Sequence, residues 1–234
     1  MRDKENKKDL DYFNKLYESD SDDIIYEESS LKKIISEKGE NYEKLPFCYM
    51  CLAIPYFKRL YLGYSMGKKF EELLPDAEKF VENACNGWNG KNYEDLVYIC
   101  SISIIFNIRN TNLEKLLKKA EARQNDSMYG EMFIKLIEPS WEIKSEKTYY
   151  DTDKALVEVI NLSKTDKTLA TQRLKNFVEK EWFKNLYEGL ISREGCYRGF
   201  WCIEAAALVK ALKLDDASLK DSKYYPYDMA HFCN

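Results

Sequence analysis

Apolar residues recur through most of this chain at the three- and four-residue spacing of an amphipathic helix. The clearest example is a set of seven: Phe70, Leu73, Leu74, Ala77, Phe80, Val81 and Ala84. Weaker versions of the pattern cover residues 10–17, 113–120, 132–137, 155–160 and 169–186. Because this spacing places apolar side chains on one face that must be buried against a neighbour, it predicts an all-α fold.

The scarcity of turn residues supports the same prediction. The 234 residues include only nine Gly and five Pro, whereas a sandwich or barrel needs turn residues after every short strand. We expect packed antiparallel helix pairs, in a repeat-like array of roughly 9–11 helices in two lobes, although no fixed period is detectable.

Capping and helix-breaking residues predict individual boundaries. The polar residues 19–23 predict the end of a first helix or the cap of a second, which covers residues 24–38 and ends at Gly39. Pro55 and Pro75 predict kinks or restarts within apolar runs. Residues 197–212 near the C-terminus predict one further helix.

Residues 93–108 are apolar nearly all round and rich in β-branched side chains, so the local sequence also permits a buried strand. Because no second run of this kind exists to pair with it, we predict a central buried helix. A change in composition at residues 138–147 predicts a boundary between an N-terminal helical region, 1–138, and a C-terminal one, 148–234. One continuous domain is the alternative.

Composition indicates how the chain forms a core and in which compartment it resides. Hydrophobic residues make up 45% of the chain and charged residues 32%, a balance typical of proteins that bury a core without help from metals or disulfides. The seven Cys form an odd set and no apolar leader follows Met1, so we expect core thiols in a reducing cytoplasm. The longest apolar run is shorter than the roughly 18 to 20 residues that cross a bilayer, and we expect no membrane span.

The sequence is poor in the residues that catalysis and metal binding require. His231 is the only histidine, so zinc sites built on two histidines are excluded. We expect His231 at the surface. Residues 63–69 resemble a phosphate-binding loop, but the spacing between the two glycines is one residue too short. The Ser or Thr that should follow the Lys is also absent. Cys48 and Cys51 have the spacing of a redox motif without a second pair, and we interpret them as core residues. We predict no enzyme activity, no metal and no cofactor.

Glu204 is the carboxylate that the sequence places in apolar surroundings. In the predicted helix over residues 197–212 it shares a face with Tyr197, Trp201 and Leu208. A buried charge requires a partner, and three arginines are candidates: Arg173, Arg193 and Arg198. We interpret Glu204 as structural.

The C-terminal third carries an ordered motif in three parts: Tyr197-x-Gly199-x-Trp201-x-x-Glu204, Asp215-Asp216-x-Ser218 and Tyr224-Tyr225-Pro226-Tyr227-Asp228. This motif resembles the signature of PoNi-type immunity proteins, and the helical N-terminal half is also similar to that family. The resemblance implies an all-α inhibitor that protects a bacterium against a PoNe-type DNase toxin delivered between competing cells.

We expect the signature residues to determine the fold more than to contact a toxin. Gly199 permits the close approach of Trp201 and a neighbouring helix. The polar residues 215–218 suit the cap of a short turn, and residues 224–226 fix an extended segment that lies back over the domain.

Acidic residues concentrate at both ends of the chain, within a net charge of -4. Residues 1–30 hold ten Asp or Glu against five Lys or Arg, and residues 214–234 hold four against two. A negative surface repels nucleic acid and attracts proteins that bind nucleic acid, so we expect a protein partner and no direct contact with DNA.

We hypothesise that the toxin-binding face includes five acids in a stretch without Lys or Arg: Asp20, Asp22, Asp23, Glu27 and Glu28. The alternative for these residues is a solvated acidic loop. The alternative function is a helical adaptor or regulatory scaffold for a non-toxin partner, and a weaker one is a hydrolase that uses scattered carboxylates.

Overall fold

The computed structural model describes residues 1–2, 8–122, 127–186 and 197–232. Within these ranges the chain forms helices and no strand, which confirms the predicted all-α fold. The α-helices are α1 Leu10–Lys38, α2 Leu45–Met66, α3 Phe70–Gly87, α4 Tyr93–Ile105, α5 Thr111–Ala122, α6 Met128–Ile137, α7 Asp151–Leu162, α8 Lys167–Asn176, α9 Phe183–Leu186, α10 Ile203–Leu212 and α11 Tyr227–Ala230. A π-helical turn, Phe177–Trp182, joins α8 to α9, and a 3₁₀ turn covers Ala217–Leu219.

The chain divides into two compact units. The N-terminal unit comprises Met1–Asp95 and Ile108–Arg123, and the C-terminal unit comprises Leu96–Asn107 and Gln124–Asn234. The domain boundary expected between residues 138 and 148 stays a prediction.

Helix α1 runs without interruption over 29 residues, so the break predicted at residues 19–23 is wrong. Asp20 is buried, and the Ser21 hydroxyl donates a hydrogen bond to the Tyr17 carbonyl at 2.7 Å. These polar side chains are thus accommodated within the helix instead of capping its end. Gly39, with φ of 80°, ends the helix as predicted.

Pro55 and Pro75 lie inside α2 and α3, and neither helix restarts at its proline. The restarts that were one alternative at these prolines are therefore wrong, whereas the kinks stay a prediction. Each proline removes one backbone hydrogen bond. Pro55 is buried, so at this position the packing of α2 against its neighbouring helices offsets the cost of the lost hydrogen bond.

In the N-terminal unit, α2 lies antiparallel to α1 and to α3. Tyr56 on α2 donates its hydroxyl to Glu28 on α1 at 2.6 Å, and Arg59, one turn later, reaches back to Ser21 at 3.2 Å. Arg59 also makes a two-pronged ion pair with the buried Asp76 of α3, with N to O distances of 2.6 and 3.0 Å. The predicted antiparallel pairing is confirmed here.

The ends of α2 and α3 approach closely at glycine. A Cβ atom placed on Gly87 would lie 2.6 Å from the Met50 backbone nitrogen and 2.8 Å from the Pro46 carbonyl oxygen. Nearby, the Lys119 ammonium on α5 donates to the carbonyls of Cys85 and Asn86 at 3.1 and 2.9 Å. The lysine thereby satisfies carbonyl groups at the end of α3 that have no partner within the helix.

In the C-terminal unit, residues 96–105 of α4 are helical and largely buried, which confirms a helix where a strand was the alternative. Lys210 on α10 donates to the carbonyl of Ile105, at the end of α4, and to that of Phe232. One ammonium group therefore fastens the end of α4 and the C-terminal segment to the same helix.

Helix α10 begins at Ile203, so the helix predicted from Tyr197 is wrong over residues 197–202. Gly199 has φ of 94°, a left-handed conformation that a right-handed helix cannot include. The Cys202 N–H donates to the Tyr224 carbonyl at 2.8 Å, which ties this segment to the later signature residues.

The non-helical segment between α6 and α7 folds back on α6. The buried Glu131 carboxylate accepts the backbone N–H groups of Lys144 and Ser145 at 2.7 and 2.9 Å. The Met128 N–H in turn donates to the Lys147 carbonyl at 2.7 Å. Backbone groups that have no ladder or helix partner are satisfied in this way.

Candidate protein-binding surface

The outward side of α1 combines exposed carboxylates with exposed apolar side chains. Asp22 and Asp23 are exposed, whereas Ile25 and Tyr26 are 64% and 69% exposed, unusually high for large apolar residues. Residues three and four apart on a helix are neighbours, so Asp22 borders both apolar side chains and Asp23 borders Tyr26. We call these four residues the α1 patch.

The structure separates the five acids that the sequence grouped together. Asp20 is only 1% exposed, and Glu28 accepts the Tyr56 hydroxyl proton at 2.6 Å. Glu27 is half-buried beside α2, where burial first and the Glu27 charge second raise the pKa of the Cys51 thiol. Of the five acids, only Asp22 and Asp23 are exposed.

Ile25 and Tyr26 were not among the residues selected from the sequence. Their position follows once α1 is continuous, because Phe13, Asp20, Ile24 and Leu31 form its buried stripe. Because the sequence predicted a break at residues 19–23, it did not reveal one continuous buried stripe along α1.

Three of the signature aromatic residues, Trp201, Tyr224 and Tyr225, are internal. Trp201 and Tyr225 are buried, and Tyr224 stacks on Phe183 with ring centroids 4.5 Å apart and planes 4° apart. Residues 224–226 are all buried, and so is the Ile203–Val209 run of α10 in the same unit. Such geometry is that of core packing, and it supports the interpretation of these residues as fold determinants.

Asp216 joins the second and third parts of the signature and also contacts His231. Its buried carboxylate accepts the Tyr225 hydroxyl at 2.6 Å and lies 2.9 Å from His231 Nε2. The neighbouring Asp215 accepts the Ala217 N–H at 3.2 Å, at the start of the 3₁₀ turn. Of the remaining signature residues, Tyr197 is half-buried, whereas Ser218 and Asp228 are exposed.

Glu204 lies in the first turn of α10 and is buried. The Cys202 thiol hydrogen-bonds to it, and complete burial, followed by the Glu204 charge, raises the pKa of that thiol. Arg173 is engaged elsewhere, by Glu158 at 2.6 Å and by both oxygens of Glu181 at 2.8 and 3.1 Å. Arg193 lies outside the described residues.

The motif that resembled a phosphate-binding loop is the end of a helix. The Lys68 N–H donates to the Gly63 carbonyl and the Gly67 N–H to the Tyr64 carbonyl, both at 3.0 Å. With Gly67 at φ of 87°, this is a Schellman motif. The Arg2 guanidinium adds bonds to the carbonyls of Tyr64 and Lys68 at 3.3 and 2.8 Å.

The cysteines fall into two groups. Cys85, Cys100 and Cys202 are buried as expected, but Cys48 and Cys51 are only half-buried, so interpreting them as core residues is wrong. Their exposure reflects their place on α2 near the exposed Phe47 and Ile54. Cys196 and Cys233 lie outside the described residues. Within the described ranges, no three His, Cys, Asp or Glu side chains are grouped so as to hold a metal ion.

No helix within the described part of the chain combines the length and apolarity that crossing a bilayer requires.

Two family models match the chain and together cover nearly all of it. The model for the N-terminal part of the PoNe immunity protein (PoNi) matches residues 2–118, and the model for the C-terminal part of PoNe immunity proteins matches residues 124–229. No curated protein and no solved structure matches the chain. The chain therefore belongs to the PoNi family of PoNe immunity proteins.

Proposed function

We propose that this protein binds a PoNe-type nuclease toxin and inhibits it by occupying the toxin's DNA-binding cleft, without catalysing any reaction itself. Membership of the PoNi family supports the partner and the inhibitory role. A DNase acts where DNA is, so we propose that the inhibitor works in the cytoplasm of the protected cell.

The observation that carries the proposed mechanism is the α1 patch. A cleft that holds a polyanion is positively charged, so exposed carboxylates such as Asp22 and Asp23 accelerate encounter with it. Encounter alone gives little affinity. Exposed aromatic and aliphatic side chains, here Tyr26 and Ile25, supply apolar contact area once the surfaces meet.

The burial of Asp20 and the engagement of Glu28 narrow the hypothesis drawn from the sequence. We propose Asp22 and Asp23 as the main charged contacts, with Glu27 at the edge of the patch. Asp20 and Glu28 then act inside the N-terminal unit and influence the toxin only through the shape of α1.

The test combines the purified chain with the nuclease encoded beside its gene. Excess wild-type protein is expected to abolish plasmid cleavage. The double variant Asp22→Lys/Asp23→Lys is expected to slow association at least about tenfold at low salt and to flatten its salt dependence. Association rates are measured by surface plasmon resonance across a salt series.

A matched control separates local from overall charge. Glu121→Lys/Asp221→Lys changes two other exposed acids by the same amount, and its association rate is expected to stay near that of the wild type. Equal slowing by both variants would contradict a specific role for α1. A nuclease that stays fully active in excess wild-type protein would contradict the proposed function itself.

A further inference from the structure

Helix α2 presents a row of apolar side chains that the proposed mechanism does not use. Phe47, Met50, Cys51 and Ile54 follow the spacing of one helix face, and we call these four residues the α2 face. Phe47 is 70% exposed and Ile54 is 47% exposed, whereas Met50 and Cys51 are half-buried. Apolar side chains grouped on an exposed surface are typical of a site that packs against another protein.

The two neighbouring helices flank the α2 face without covering it. On one side α3 packs against α2, where the rings of Phe57 and Phe80 have centroids 5.0 Å apart. On the other side lies α1. Burial first, and the charge of Glu27 on α1 second, raise the pKa of the Cys51 thiol, so this carboxylate borders the face. The face is therefore open along its length to one further helix.

The α2 face is symmetric about its own midpoint, which lies between Met50 and Cys51. At 1.5 Å per residue, Phe47 and Ile54 lie about 5 Å from that midpoint in opposite directions. A second α2 can lie antiparallel on the first, related to it by a two-fold axis through the midpoint. Phe47 of each copy then packs against Ile54 of the other.

Two charged residues at the ends of the α2 face follow the same symmetry. Glu43, in the turn before α2, precedes Phe47 by four residues, and Lys58 follows Ile54 by four residues. Within the described ranges, neither side chain makes a hydrogen bond or an ion pair. The same two-fold axis places Lys58 of each copy beside Glu43 of the other.

The other charges along α2 and its preceding turn do not cancel this opposition. Glu40 and Lys44 lie at the same end as Glu43 and offset each other. At the opposite end, the charge of Arg59 is balanced by its ion pair with Asp76. One end of the face is thus left negative and the other positive, which favours antiparallel pairing of two such faces.

We propose that the α2 face joins two copies of this chain in an antiparallel dimer with two-fold symmetry. Such a dimer needs a surface that is complementary to itself, and the α2 face has both apolar and charged residues arranged in that way. A second copy carries the matching arrangement by construction, whereas an unrelated protein would match it only by chance. This proposal goes beyond the proposed function and does not depend on it.

The first test is sedimentation velocity of the purified chain alone over a series of concentrations. A contact between one pair of helices is at the small end of specific interfaces, so the dimer should dissociate on dilution. The wild type is expected to change from the mass of one chain to twice that mass as its concentration rises to about 1 mM. A chain that is monomeric throughout this range would overturn the proposal.

A charge in the centre of the contact should separate the copies. Ile54→Asp is expected to raise the dissociation constant of the dimer at least about tenfold, because the new carboxylate would be buried opposite Phe47 of the other copy. The control is Leu169→Asp, at an apolar residue of α8 that is 45% exposed, and its dissociation constant should equal that of the wild type. Equal weakening by both variants would contradict a specific role for α2.

A charge exchange tests the pairing of the ends directly. Lys58→Glu alone and Glu43→Lys alone each place like charges together, and each is expected to raise the dissociation constant about fivefold. The double variant Glu43→Lys/Lys58→Glu restores opposite charges and should return it close to the wild-type value. Because the double variant has the wild-type net charge, a failure to restore the dimer would show that these residues do not meet.

The direction of the second helix has its own test at Glu27. In the antiparallel arrangement α1 of one copy faces α1 of the other, so the two Glu27 carboxylates lie on the same side of the interface and repel each other. Glu27→Gln is therefore expected to lower the dissociation constant about threefold at low salt. Parallel helices would place α1 opposite α3 of the other copy, and an unchanged dissociation constant would contradict the antiparallel arrangement.

The α2 face has one competing partner, the nuclease itself. If the free wild-type chain stays monomeric and Ile54→Asp weakens nuclease binding, the face contacts the toxin and the proposed dimer is wrong. The dimer measurements use no nuclease, so their failure would leave the proposed function in place. Conversely, a chain that dimerises as described but leaves the nuclease active would overturn only the function.

Discussion

Each of the two units is stabilised internally by different means. In the N-terminal unit, helices pack directly on helices, with close backbone approach at Gly87 and a buried ion pair between Arg59 and Asp76. In the C-terminal unit, long non-helical segments are held by buried carboxylates, of which Glu131 and Asp216 are the clearest. Direct packing between helices thus determines most of the chain path in the first unit, whereas single buried carboxylates hold the non-helical segments of the second.

The largest expected change in stability tests the buried carboxylates of the C-terminal unit. Asp216→Ala leaves the buried Tyr225 hydroxyl without its acceptor and removes the contact with His231, so the free energy of unfolding should fall by about 3 kcal/mol. Urea denaturation followed by circular dichroism measures the change. Asp221→Ala, an exposed acid in the same region, should change it by less than about 0.5 kcal/mol. Equal losses would remove the distinction between buried and exposed acids.

The next effect tests direct helix packing. Gly87→Ala places a methyl group closer to rigid backbone atoms of α2 than van der Waals contact allows, and we expect a loss of about 2 kcal/mol. Gly39→Ala is the comparison, because a Cβ there meets nothing within 4 Å and only the φ of 80° opposes it, at about 1 kcal/mol. Thermal unfolding of both variants ranks them. A milder effect at Gly87 than at Gly39 would show that α2 and α3 are not closely packed.

A third, smaller effect tests how much of the stabilisation by a buried carboxylate depends on its charge. Glu131→Gln keeps an oxygen acceptor but loses the charge-assisted bonds to the N–H groups of Lys144 and Ser145, so we expect a loss of about 1.5 kcal/mol. Amide hydrogen exchange at those two residues should accelerate with it. Exchange at wild-type rates would mean that the segment is held by other contacts. Glu142→Gln, which is exposed, serves as the control.

The smallest effect appears only in alkaline solution. Burial raises the pKa of the Cys85 thiol from 9.0 to about 12. Between these values the folded chain keeps a proton that the unfolded chain has lost, so the free energy of unfolding falls as pH rises, by about 1 kcal/mol between pH 9 and 10. The Cys85→Ala variant should lack this pH-dependent fall in the free energy of unfolding. Identical pH slopes for the two proteins would place the thiol in contact with water.

The sequence predicted the elements well where apolar spacing is regular. The fold class and the helix over residues 93–105 followed from it, as did the helix end at Gly39. It failed at Ser21 and at Gly199, for opposite reasons. A serine that usually caps helices is accommodated inside α1 by a bond to the preceding turn, whereas a glycine in an apparently helical run adopts φ of 94°.

The candidate surfaces were harder to predict than the elements. Five acids close together in sequence differ in burial, and only the direction in which each leaves α1 decides which of them meets solvent.

Helix α1 has two sides with different tolerance to change. The stripe of Phe13, Ile24 and Leu31 is buried, so substitutions there cost core packing. Asp22 and Tyr26 lie on the exposed side, where most substitutions alter stability by less than about 0.5 kcal/mol. A designer can therefore rewrite the outer side of this helix in charge and shape, to redirect the protein to a different target, while leaving its scaffold unaltered.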